Sequence, residues 1–143
     1  MNDMVQSAVI SVRGTQYPDG CEPETMELVT EGSYCYEPGF VNISYAETQI
    51  TGLEGVITRF TVEGDTVTLS RTGKLNSTMV FRKGTKHESL YDVGMGALLV
   101  GVQTQSVTTL MNEHGGMLDL EYEVSVENQP CGFHAYHIDV RTS

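Results

Sequence analysis

The chain has 143 residues, with 19 acidic and 8 basic side chains and a formal net charge of −11 at pH 7. This charge argues against binding to nucleic acids or anionic membranes, since both require a basic surface. The β-branched residues Val, Thr and Ile number 37, whereas Ala numbers 4 and Lys 3, which excludes an all-helical protein. The length suits one domain, and we predict a single domain over residues 1–143.

The N-terminus and the cysteines indicate the compartment. The first residues lack the basic and apolar stretches of a signal peptide. The cysteines Cys21, Cys35 and Cys131 are odd in number and have no Cys-x-x-Cys or zinc-finger spacing. We therefore expect a cytoplasmic protein with reduced thiols, without a metal or another cofactor.

The first half of the chain alternates apolar and polar residues with the period of a strand. Each run ends at a group of Gly, Pro, Asn or Asp residues, of which Glu63-Gly64-Asp65 is a strong hairpin signal. The predicted strands here are residues 4–16, 25–37, 40–48 and 56–63.

The second half repeats the pattern. The predicted strands are residues 66–71, 78–83, 87–92, 97–111, 118–127 and 133–141. In the long run 97–111, strict alternation places one set of side chains on the same side: Leu98, Val100, Val102, Thr104, Ser106 and Thr108. No stretch has the pattern of an amphipathic helix.

Strands with one apolar and one polar face, joined by short turns, are typical of an antiparallel meander. A long meander leaves two edges exposed, and closure into a barrel removes them. We predict an all-β fold, a single antiparallel up-and-down β-barrel of about eight to ten strands. A two-sheet sandwich is the alternative.

Five segments, taken in order and spacing, resemble a known family. They are residues 43–47, 71–73, 79–81, 91–96 and 115–122. The set is similar to the YwiB-like bacterial proteins, a family of uncharacterised domains with a calycin-like (lipocalin-like) β-barrel, and the resemblance covers nearly the whole chain. It implies a small cytoplasmic bacterial barrel protein and assigns no catalytic residues. Calycins often bind small apolar ligands inside the barrel, although a fold does not determine a function.

Two charged residues break the pattern of their strands. Arg71 falls on the same side as Leu69, and Glu47 on the same side as Ile43, so both are predicted to point into the apolar interior. A buried charge needs a partner. They can pair with each other or with Tyr and Thr hydroxyls near a barrel end, or a bulge can alter the alternation.

A third possibility is that these charges anchor a ligand. Arg71 would then meet a ligand carboxylate or phosphate inside a cavity lined by aromatic side chains. The predicted ligand-binding residues are Tyr45, Glu47, Arg71, Phe81 and Tyr122.

The sequence offers no arrangement typical of catalysis, and we predict that the protein is not an enzyme. No nucleophile elbow, phosphate loop or metalloprotease motif occurs. His134 and His137 are three residues apart on one strand and should lie on opposite faces. The row Asp119, Glu121 and Glu123 has the alternation of a solvated face.

These observations favour a non-enzymatic barrel that binds a small apolar or anionic molecule in its interior. The alternative is a protein–protein interaction module, or a homodimer, whose barrel is filled and holds no ligand. The two differ in whether the interior is hollow or filled by Met, Phe and Tyr side chains.

Overall fold

The computed structural model describes residues 5–17, 22–49, 52–74, 76–92 and 96–142, and these residues contain no α-helix. They form ten strands: β1 (Val5–Tyr17), β2 (Glu24–Glu37), β3 (Phe40–Ala46), β4 (Val56–Glu63), β5 (Thr66–Gly73), β6 (Ser77–Arg82), β7 (Lys86–Asp92), β8 (Ala97–Asn112), β9 (Gly115–Val126) and β10 (Gln129–Thr142). Each predicted strand is present. Met4, Cys21 and residues 93–95 of the 91–96 segment lie outside the described residues. No helix among the described residues is long and apolar enough to cross a membrane.

The strands form one antiparallel ten-stranded sheet in the order β6-β5-β4-β3-β2-β1-β10-β9-β8-β7. Consecutive strands are neighbours, as in an up-and-down meander, and the first and last strands pair over ten residues. The edge strands β6 and β7 approach each other, and the Ser89 hydroxyl donates a hydrogen bond to the Thr78 carbonyl at 3.4 Å. The sheet is therefore a nearly closed β-barrel, which confirms the predicted fold rather than the sandwich; its kinship to calycins stays a prediction.

Side chains from the inner face of every long strand fill the barrel. The core is apolar because the sequence alternates with period two along strands whose other face meets water. The largest fully buried side chains are Tyr34, Phe60, Phe81, Ile10, Ile43, Leu69, Leu118, Leu120 and Ile138.

One prediction about a strand face is wrong. A bulge in β8 shifts the register between Thr104 and Ser106. An extra residue in one strand reverses which side chains point inward beyond it. Val107 accordingly packs against the core, whereas the Ser106 hydroxyl bonds to Glu121 on the outer face.

Candidate functional site

Arg71 lies near the end of β5 with its side chain half-buried in the barrel. Its Nη2 donates a hydrogen bond to the Tyr136 hydroxyl at 3.3 Å. Its Nε is shielded from solvent and has no hydrogen-bond partner. A guanidinium has five N–H donors, so most of its capacity is not used by these contacts.

Glu47 follows the last residue of β3 and is only 7% exposed. Its backbone N–H donates to the Val56 carbonyl at 2.8 Å, which continues the pairing with β4 by one residue. The fully buried Thr58 donates its hydroxyl hydrogen to Glu47 Oε2 at 2.5 Å. A charged acceptor makes this a strong hydrogen bond.

The buried Tyr45 and the half-buried Tyr136 complete the group. Burial, followed by the neighbouring Tyr136 and Glu47, raises the pKa of Tyr45 well above its usual value, against the opposing effect of Arg71. Burial likewise raises the pKa of Tyr136, although the Arg71 guanidinium partly offsets that effect. Both hydroxyls therefore keep their protons at neutral pH and remain able to donate.

We call Tyr45, Glu47, Thr58, Arg71 and Tyr136 the polar cluster. The strand register brings residues of β3, β4 and β5 together, because Tyr45 is opposite Thr58 and Thr58 is opposite Arg71. Tyr136 reaches the group from β10, and its ring also meets Phe60 edge-on at 5.8 Å.

The two predicted inward charges are thus placed inside the barrel, and their partners are hydroxyl groups. No ion pair within 4.0 Å joins Arg71 to Glu47 in the described chain. The contacts described for these two charges are with Thr and Tyr hydroxyls, as one of the alternatives predicted.

The other two predicted residues lie elsewhere in the core. Phe81 packs on Tyr122 with ring centroids 4.7 Å apart, and both are almost fully buried. Phe81 is opposite Val67, four residues along β5 from Arg71, which corresponds to roughly 13 Å of strand. The structure therefore brings Tyr45, Glu47 and Arg71 together and places Phe81 with Tyr122 in a separate packed pair.

Sequence reasoning did not single out Thr58 and Tyr136. Thr58 alternates with Val56 and Phe60, so a polar residue on an apolar face was the available signal. Tyr136 had no such signal, because its contact with Arg71 joins positions 65 residues apart. Tyr136 also lines a cavity of about 110 Å³ together with Gly14, Met26 and His134.

The histidines of β10 lie on opposite faces, as predicted. His134 stacks on Tyr122 with centroids 5.3 Å apart, and burial lowers its pKa. His137 lies on the outer face, where Nδ1 is 2.6 Å from Asp119 and Nε2 is 2.8 Å from Asp139. Within the described ranges, no three His, Cys, Asp or Glu side chains are arranged to hold a metal ion.

Two comparisons with known proteins found a match, one to a family and one to a solved structure. The family model of the domain of unknown function DUF1934 matches residues 10–138. The crystal structure of the ywiB protein from Bacillus subtilis is similar in fold, with a TM-score of 0.84 and 22% sequence identity over 99% of this chain and 94% of that chain. No curated protein matches the chain.

Proposed function

Because the chain belongs to the DUF1934 family, which has no known function, we propose a function from the geometry: the barrel binds a small molecule through an anionic group at the polar cluster. The observation that carries this proposal is the Arg71 Nε, which is shielded from solvent without a partner. Leaving a charged donor buried and unpaired is costly, and an anion supplies the missing acceptor.

The donors around Arg71 suit an oxyanion. The Tyr136 hydroxyl accepts a hydrogen bond from Arg71 Nη2, so its own proton is available for a ligand oxygen. Arg71 can offer a carboxylate or phosphate two N–H groups in its fixed fork geometry. A bound anion would therefore receive hydrogen bonds from Arg71 and from Tyr136.

Glu47 limits the charge that the site accepts. Thr58 and Tyr45 hold its carboxylate in place, and its negative charge partly offsets that of Arg71. We expect a singly charged carboxylate to bind more tightly than a phosphate dianion, because the added charge is repelled by Glu47.

The proposal is tested by an NMR titration with sodium acetate, inorganic phosphate and acetamide at constant ionic strength. Acetamide has nearly the shape of acetate without its charge. The variants are Arg71→Met, which keeps an apolar stem, and Tyr136→Phe, which removes the hydroxyl. Arg59→Met is the control, since Arg59 is exposed on the outer face of the adjacent strand β4.

We expect acetate to shift resonances of the polar cluster and acetamide to leave them unchanged. Arg71→Met should abolish the response, and Tyr136→Phe should weaken binding about tenfold or more, as for a hydrogen bond to a charged group. Equal binding of acetate by the wild type and Arg71→Met, or no response to either anion, would contradict the proposal.

The second candidate is an interaction module. The fully buried side chains of Phe60, Phe81 and Tyr34 support a filled barrel, and the apolar Val9 and Val29 are exposed on neighbouring strands. Light scattering behind size-exclusion chromatography separates the two candidates, because a homodimer that is lost in Val29→Lys would favour this one.

A further inference from the structure

A second concave surface lies on the outer wall of the barrel, away from the polar cluster. Five residues at one level of the sheet define it, and we call it the outer groove: Tyr17, Phe133, Glu123, Gln103 and Lys86. Each is the register partner of the next, across β1, β10, β9, β8 and β7. The groove is open to solvent on one side and has a volume of about 540 Å³, within the usual range of small-molecule sites.

One end of the outer groove is aromatic. The ring centroids of Tyr17 and Phe133 are 5.6 Å apart, and the ring planes are inclined by 52°. Tyr17 lies outside the core and is 43% exposed. A bulge between Pro130 and Gly132 shifts the register of β10 just before Phe133. The pair therefore presents an apolar surface to solvent at the edge of a concavity.

The other end carries two opposite charges that are not joined to each other. Lys86 Nζ is 3.6 Å from Glu88 Oε2, and the Glu123 carboxylate has neither a hydrogen bond nor an ion pair in the described part of the chain. Gln103 separates Lys86 from Glu123, so their backbones are about 10 Å apart, two strand spacings. Side chains of this length leave room between the charged groups for a small polar ligand.

Gly101 helps to shape the charged end. A Cβ at this position would lie 3.0 Å from Lys86 Cε and 2.6 Å from the Ser125 hydroxyl oxygen. The missing side chain therefore lets the lysine stem lie close against the wall of the barrel.

We propose that the outer groove binds an α-amino acid with an aromatic side chain, or the same zwitterionic group in a closely related molecule. Glu123 accepts hydrogen bonds from the ligand ammonium, and Lys86 donates to the ligand carboxylate. Gln103, which lies between them, can both donate and accept. The ligand side chain rests on Tyr17 and Phe133, as aromatic rings favour tilted and offset contacts.

This site is independent of the anion site proposed above. The residues of the outer groove are on the outer face, whereas those of the polar cluster point inward. The proposal also gives the Glu123 carboxylate a cationic partner, whereas Lys86 already lies beside Glu88.

The test is isothermal titration with L-phenylalanine and three matched compounds. Phenethylamine lacks the carboxylate, 3-phenylpropionate lacks the ammonium group, and L-alanine lacks the ring. The variants are Glu123→Gln, Lys86→Met and Phe133→Ala. The controls are Glu121→Gln, on the same face of β9 but outside the groove, and Lys83→Met, in the turn before β7.

We expect L-phenylalanine to bind the wild type and both controls, and each matched compound to bind at least about tenfold more weakly, corresponding to one lost contact. Each of the three variants should show a similar loss, and Arg71→Met should bind normally. The proposal is overturned if no binding is detected with L-phenylalanine at about 10 mM, a concentration at which even a weak complex would form. It is also overturned if one of the matched compounds binds Arg71→Met, which lacks the anion site, as tightly as L-phenylalanine does, or if Glu123→Gln and Lys86→Met bind L-phenylalanine like the wild type.

Discussion

The stability of a buried carboxylate in a β-barrel depends on the few groups that donate hydrogen bonds to it. Glu47 is 7% exposed and accepts the hydroxyl hydrogen of Thr58. Thr58→Val keeps the shape of the side chain and removes this donor, so the carboxylate stays buried with less compensation. We expect a loss of about 1–3 kcal/mol in the free energy of unfolding, the range for a buried group left unsatisfied.

Urea unfolding measures this loss, with Thr61→Val as the matched control. Thr61 lies on the same strand with its side chain on the other face, half-buried, so its substitution should change stability by less than about 0.5 kcal/mol. Equal effects of the two substitutions would show that the Thr58 hydroxyl does not support Glu47.

His137 makes stability depend on pH. Its hydrogen bond to Asp119 raises its pKa, as do the bond to Asp139 and both negative charges, whereas partial burial opposes the shift. A raised pKa in the folded state means that the stabilisation is complete below the unfolded value of about 6.5 and is lost as the pH rises through the folded value. Arg13, its register partner, adds a like charge on the same face.

We expect the difference in melting temperature between the wild type and His137→Gln to be larger at about pH 5 than at about pH 8.5, on either side of the histidine range. His114→Gln is the control, because His114 is exposed in the turn between β8 and β9. A constant difference across this range would refute the double pairing of His137.

The inward position of Glu47 and Arg71 could be predicted because alternation is local. Each charged side chain lies on the same face as apolar residues of its strand, because residues an even number of positions apart on a strand share a face. Hydroxyl partners were one predicted alternative, but which residues supply them could not be predicted, since strand order and register across the barrel select Thr58 and Tyr136. The separation of Phe81 from the polar cluster has the same cause.

Among the elements, β2 contains a point at which only a glycine fits. A Cβ on Gly32 would lie 2.3 Å from the Ser44 carbonyl oxygen and 2.6 Å from Ile10 Cδ1. We expect Gly32→Ala to lower the free energy of unfolding by about 1–3 kcal/mol or more, as for other overpacked sites.

Gly14 on β1 provides the contrast. A Cβ there would meet only the Tyr136 ring, at 3.8 Å, which is an ordinary contact. Gly14→Ala should therefore leave stability unchanged or raise it by about 0.4–1 kcal/mol through the unfolded chain. Chemical unfolding of both variants decides the matter, and a greater loss for Gly14→Ala than for Gly32→Ala would contradict the described approach of β2 to β3.

The bulge in β8 shows where alternation fails as a predictor. A strand of 16 residues cannot follow a barrel wall without bending, and the bulge reverses the faces after Thr104. No glycine or proline marks the position in the sequence. The β10 bulge, by contrast, falls at Pro130 and Gly132, which the sequence shows as a break.

At the scale of the whole molecule, the meander closes through its ends. Pairing of β1 with β10 joins the two halves, and the remaining seam falls between β6 and β7 in the middle of the chain. The need to cover sheet edges made a barrel predictable from the number and type of strands. The position of the seam could not be predicted, because it depends on which pair of strands forms the longer ladder of backbone hydrogen bonds.

The central claim is that Arg71 holds an anion inside this barrel, and difference electron density in crystals soaked in acetate tests it most directly. We predict a carboxylate with an oxygen about 2.7–2.9 Å from Arg71 Nε, the length of a charge-assisted hydrogen bond, and a second contact to the Tyr136 hydroxyl. Crystals of Arg71→Met should show no such density. The claim is contradicted if the wild-type density shows the Glu47 carboxylate in contact with the Arg71 guanidinium and no acetate beside it.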